Sequence, residues 1–164
     1  MTSKTVTAKS KSILLVEDDP RDVELTLAAL EEHQLNKVVT VVDNGAEALD
    51  YLYRQGKFKS RTDGDPILIV LDNKMPKLNG LEVLKTIKAD ERLKTIPVVI
   101  LTSSRETPDL TAFYAHGANA YVVKPVDFSE FITAVKQLGI FWALINEAPL
   151  PPSMEHSTAP VSLP

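Results

Sequence analysis

The chain of 164 residues contains no cysteine, so neither disulfide staples nor thiolate metal sites are open to it, and its chemistry is indifferent to redox compartment. No uninterrupted apolar stretch approaches the ~18 residues of a membrane span, and the lysine-bearing start, Met1 to Lys11, leads into no secretory apolar core. A cytoplasmic location without membrane contact is expected. Positive charge is in deficit: 18 Lys and Arg stand against 22 Asp and Glu, a net charge of -4, which argues against a surface built to attract nucleic-acid phosphate. There is neither a Walker-type Gly-Lys loop nor a GxGxxG turn, and His33, His116 and His156 lack metal-ligand spacing. What is present is 44% hydrophobic residues in a length that suits one well-buried core.

Those hydrophobic residues are concentrated in short runs rich in Val and Ile: Ile13 to Val16, Val38 to Val42, Ile67 to Leu71, Val98 to Leu101 and Ala120 to Val123. Near-continuous apolarity without polar alternation is what strands covered on both faces require. Segments with helical spacing lie between and after them. The first follows Asp19 as N-cap and Pro20 in the first turn, places Val23, Leu27 and Leu30 on one face, and should end near His33. The second covers about Ala46 to Tyr53. The third runs from Leu81 to Ala89, where Lys88 shares a side with Leu84 and Ile87 and can snorkel. A fourth runs from Pro108 to Ala115 behind a Thr107 cap. The fifth opens on a capping-box-like pair, Asp127 and Glu130, and carries one stripe through Phe128, Phe131, Ile132, Val135, Leu138 and Trp142.

Five alternations of strand and helix predict an α/β architecture, a doubly wound five-stranded parallel sheet of flavodoxin-like type in the order 2-1-3-4-5. A flexible segment, 1–11, should precede a domain over 12–146. A tail over 147–164, with Pro149, Pro151, Pro152, Pro160 and Pro164, should follow as an extended segment. The connection from Arg54 to Pro66 is longer than usual.

In this strand order the first and third strands are neighbours, and both discharge into acid: Glu17-Asp18-Asp19 after one, Asp72 at the end of the other. The ligand crevice of open α/β sheets lies at the carboxyl ends of the strands, where Thr102 and Lys124 also fall. Carboxylates gathered this closely raise one another's pKa unless a divalent cation neutralises them, and magnesium, with its octahedral oxygen preference, suits the set. Asp18 and Asp72 would ligate directly, Glu17 through water, and the backbone carbonyl of Lys74 would add an oxygen. An Asp72 oxygen is then free to attack a phosphoryl group in line, giving an acyl phosphate, with Lys124 and the Thr102 hydroxyl placed to meet the phosphoryl oxygens. Taken singly each residue has a plainer reading, as a helix cap, a turn residue or a solvated lysine. Their convergence on one end of the sheet is what independent turn chemistry does not predict.

These motifs resemble the receiver domains of two-component response regulators over Ser12 to Leu144: the acid pair Glu17-Asp18, the phosphoacceptor Asp72 in Leu-Asp-Asn-Lys-Met-Pro-Lys-Leu-Asn-Gly, the switch hydroxyl Thr102, and Lys124 before Pro125. The resemblance implies an aromatic switch at Tyr121 and a cis bond at Lys124-Pro125. It departs in having Glu17 where aspartate is commonest, and it places Lys74 and Ser104 at positions that tune dephosphorylation. The long Arg54 to Pro66 connection, Phe141-Trp142 and the proline-rich extension look like the single-domain regulators paired with bacterial phytochrome kinases.

The function so implied is that of a phosphoacceptor rather than an enzyme. It would take a phosphoryl group from a sensor histidine kinase in a Mg2+-dependent reaction and signal through protein contacts. After Asn146 only 18 residues remain, too few for a helix-turn-helix module, so a DNA-binding output is not expected. A homodimer is expected from the apolar excess of the final helix and tail. Two other functions compete. A magnesium-dependent aspartyl phosphohydrolase wants a second acid two residues after the nucleophile, where this chain has Lys74. A pseudo-receiver interaction module would not keep the full set of acids, Thr102 and Lys124.

Overall fold

The apolar runs pair into one parallel sheet because each is covered on both faces. The computed structural model describes residues 12–75, 78–103 and 109–145. In it β1 (Ile13–Val16), β2 (Val39–Val42), β3 (Leu68–Asp72), β4 (Val98–Thr102) and β5 (Ala120–Val123) lie in the order β2-β1-β3-β4-β5. All four neighbouring pairs are parallel. The expected order therefore holds, and strand bounds move by one residue at most.

Alternation along the strands sorts the core into two halves. Leu14, Val16, Ile69, Leu71, Val98 and Ile100 pack on one side with Val83, Leu84, Ile87 and Phe113. Ile13, Leu15, Leu68, Val70, Val99 and Leu101 pack on the other with Leu30, Phe131, Val135 and Leu144. Burying one such side chain stabilises the fold by about 1.5–3 kcal/mol, which sets the register firmly.

The helices begin where the caps predict. Asp19 accepts a hydrogen bond from the Arg21 amide at 2.8 Å and starts α1 (Pro20–Ala29). Asn44 does the same for the Glu47 amide and starts α2 (Gly45–Tyr53). Asn79 and Glu82 close a reciprocal capping box on α3 (Gly80–Ala89). Both α2 and α3 open on glycine, one residue before the expected Ala46 and Leu81. A Cβ on Gly45 would stand 2.2 Å from the Leu78 carbonyl oxygen, and one on Gly80 2.5 Å from that of Asp72. Then come α4 (Asp109–Ala115), α5 (Phe128–Gln137, capped by Asp127) and α6 (Phe141–Ile145).

Two expectations need correction. α1 stops at Ala29 rather than near His33: a 3-10 turn over Glu32–Val38 follows, with His33 and Gln34 at φ 58 and 57, which swings Leu35 into the core. The stripe from Phe128 to Trp142 is not one helix, because the chain turns at Gly139, φ 77, before α6. The Arg54 to Pro66 connection is ordered by Arg61, whose guanidinium lies 3.9 Å over the Tyr51 ring and donates to the Tyr51 carbonyl. Lys88 does not end in solvent: its ammonium donates to the carbonyls of Lys94 and Ile96 at 3.1 Å. The expected segments 1–11 and 147–164, the Thr107-Pro108 cap and Ser104 lie outside the described residues, as does the side chain of Trp142.

Candidate functional site

Register places the acids. Val16 of β1 pairs with Leu71 of β3, so Glu17 and Asp72 leave adjacent strands at the same level. Both continue the series Leu15 and Val70 and so lie on the α1 and α5 side of the sheet, as does Lys124, two residues past Val122. Thr102, two residues past Ile100, belongs to the opposite series. The Glu17 amide donates to the Val42 carbonyl at 3.0 Å and the Asn73 amide to that of Leu101 at 3.0 Å, which fixes the backbone on either side of the acids.

Glu17, Asp18 and Asp72 each offer a carboxylate oxygen, and these oxygens lie within 4.8 Å of one another. Glu17 is 1% exposed and Asp72 3%, whereas Asp18 faces solvent at the rim. Lys124 closes the group from β5. Its ammonium stands 3.0 Å from Asp72 Oδ1, 3.2 Å from Glu17 Oε1 and 3.0 Å from Asp22 Oδ2. Its amide donates to the Thr102 carbonyl at 2.8 Å, and its bond to Pro125 is cis. Thr102 is fully buried. Tyr121 is half-buried, with its ring edge-on to Tyr114 at 6.2 Å. Lys74 has an exposed side chain and directs its amide toward Asp72 Oδ1 at 3.5 Å. Of the expected residues the fold brings Glu17, Asp18, Asp72 and Lys124 together, and it adds Asp22, which the sequence does not single out. Asp22 sits 102 residues from Lys124, and as a first-turn acid of α1 it reads in sequence only as a complement to the helix dipole.

Burial is the main force on the acids. It raises the Glu17 carboxyl to about 7, with the charge of Asp72 adding to it and Lys124 opposing. Burial also raises Asp72, against which Lys124 works. Lys124 itself is pulled down by burial, but Asp22, Asp72 and Glu17 outweigh that and hold the ammonium above the ordinary lysine value. One oxygen of the site is left over: Glu17 Oε1 touches Lys124 as an ionic contact and has no hydrogen-bond partner among the described residues.

Two buried carboxylates, one of which carries that orphaned oxygen, and a rim carboxylate form an all-oxygen donor set of the kind hard divalent cations take. The residues fit such an ion.

The sequence profile of the response regulator receiver domain matches residues 13–136. Response regulator Rcp1 of Synechocystis sp. is 35% identical over 132 residues, 80% of this chain and 88% of that protein. The solved Mn(2+)-bound form of Rcp1 superposes with a TM-score of 0.65 at 33% identity, covering 86% of this chain and 99% of that one. The bacteriophytochrome response regulator AtBRR is 56% identical with a TM-score of 0.76, covering 84% of this chain and 99% of that one. RtBRR, also a bacteriophytochrome response regulator, is 54% identical with a TM-score of 0.74, covering 92% and 90%.

Proposed function

The chain belongs to the response regulator receiver domain family of two-component signalling, and on that premise we propose that Asp72 is its phosphoacceptor, served by Lys124 and Thr102. The observation that carries the reading is the gathering of Glu17, Asp18 and Asp72 within 4.8 Å with Lys124 3.0 Å from Asp72. An Asp72 oxygen attacks the phosphorus of a phosphohistidine in line. The P–N bond breaks as the O–P bond forms, and the imidazole leaves with a proton from solvent. Lys124 exchanges its contact with the carboxylate for one with the transferred phosphoryl oxygens. Thr102 and Tyr121 act as the switch pair, the hydroxyl donating to a phosphoryl oxygen and the ring following it.

Glu17, Asp18, Asp72 and the Lys74 carbonyl would hold Mg2+, which when bound neutralises the carboxylates and the incoming phosphoryl charge. No external substrate is turned over. The donor is a sensor histidine kinase, and the names of AtBRR and RtBRR support a bacteriophytochrome as that kinase. The domain spans 12–146, between a short leading segment and the proline-rich tail, and works in the cytoplasm. The described residues include no helix long and apolar enough to cross a membrane. The chain pairs as a homodimer, a reading that rests on the apolar excess of the aromatic-rich final helix and the tail. A monomer mass by light scattering at micromolar concentration overturns that part alone.

The phosphoacceptor reading is tested by incubation with a small acyl-phosphate donor. Wild type gains label in magnesium and loses the gain in chelator, and Asp72→Asn gains none. Equal labelling of the variant overturns the assignment.

A further inference from the structure

Among the described residues Lys124 is shared three ways, and one of these partners stands outside the metal-binding set. Glu17 and Asp72 are members of that set; Asp22 is not. Asp22 reaches the ammonium from the third residue of α1, with its side chain 27% exposed, so it is less deeply buried than the carboxylates of Glu17 and Asp72. We propose that Asp22 is a positioning residue: its 3.0 Å ion pair holds the Lys124 ammonium at the edge of the acid cluster, so that lysine and a divalent cation occupy the cluster together.

The reasoning is competitive. A cation and an ammonium both seek the oxygens of Glu17 and Asp72, and they repel each other. Without Asp22, the ion-pair partners left to the ammonium among the described residues are those two acids, and a metal that takes their oxygens competes with it directly. With Asp22, Lys124 gives up Glu17 and Asp72 and keeps a partner. The lysine then stays aimed at the place where phosphoryl oxygens arrive. This inference rests on the metal-binding reading above, and it assigns Asp22 no contact with the ion.

Its test is a double-mutant cycle read as magnesium affinity by calorimetric or NMR titration at near-physiological salt, with no phosphoryl donor present. Asp22→Asn is expected to raise the magnesium dissociation constant about fivefold, the scale of a partly exposed ion pair. Asp22→Glu, which keeps a carboxylate within reach, recovers most of the loss. In the Lys124→Met background, Asp22→Asn changes the constant by less than about twofold, since long-range charge is screened. A loss of equal size in both backgrounds overturns the proposal, because Asp22 then acts as a distant charge and not through Lys124. Unchanged affinity in Asp22→Asn overturns it too. If wild type itself binds no magnesium, the metal reading falls first and the inference with it.

Discussion

Replacing Lys124 by methionine keeps most of the volume of its stem and removes a positive charge that touches Glu17, Asp72 and Asp22 together. At ~3 Å and an effective dielectric of ~20, each contact carries about 5 kcal/mol of attraction before desolvation is subtracted. Breaking a buried pair by deleting one partner costs about 3–5 kcal/mol in practice. Proton uptake limits the damage. Glu17 already titrates at about 7 with Lys124 in place, and without it the carboxyl rises further. A carboxyl whose folded pKa lies above its unfolded one contributes stability that is present at low pH and lost as pH rises through the folded value. Each pH unit over which only the folded state holds that proton costs about 1.4 kcal/mol. Urea unfolding of metal-free protein should therefore show a penalty for Lys124→Met of about 3 kcal/mol at pH 8, smaller by about 1–2 kcal/mol at pH 6. Millimolar magnesium should restore much of the loss at pH 8, since the ion supplies the missing positive charge. A penalty below about 0.5 kcal/mol, or one equal at the two pH values, would show that Lys124 is no countercharge to buried acids.

The same titration predicts that magnesium binds more tightly as pH rises from 6 to 8 and releases a proton in doing so, measurable by calorimetry in buffers of different ionisation enthalpy; the raised Glu17 carboxyl is the source. Gly80→Ala should destabilise the fold by about 1–3 kcal/mol, because the added methyl meets the Asp72 carbonyl oxygen, a backbone atom. It should also slow acyl-phosphate labelling, since the turn it displaces carries Asp72; unchanged unfolding midpoint and labelling rate would refute the contact. Asp72→Asn should leave the metal-free protein as stable as wild type or more so by about 1 kcal/mol, because it removes a charge that burial disfavours and that pushes up Glu17, while Lys124 keeps Glu17 and Asp22 as partners; chemical denaturation decides it.

Much of this geometry was legible in the chain because the relevant signals were local or periodic. Apolar runs such as Ile13 to Val16 bury completely, and alternating strand and helix patterns leave few topologies once right-handed crossovers are required. Strand order then did the rest, since placing β1 beside β3 brings Glu17 and Asp18 to Asp72 without further information. What escaped depended on tertiary demands. The end of α1 is set by Leu35 turning inward, and His33 and Gln34 accept left-handed backbone that their residue types do not advertise. The chain turns at Gly139, φ 77, but the apolar stripe running past it reads in sequence as one continuous helix. Asp22 meets Lys124 across 102 residues, a contact that no spacing rule encodes.

The most direct measurement is the site of the acyl phosphate. Wild-type protein phosphorylated in magnesium, trapped by borohydride reduction and mapped by peptide mass spectrometry, should carry a single reduced residue at position 72. Reduction at Glu17, Asp18 or Asp22, or a modified peptide that survives Asp72→Asn, would contradict the account.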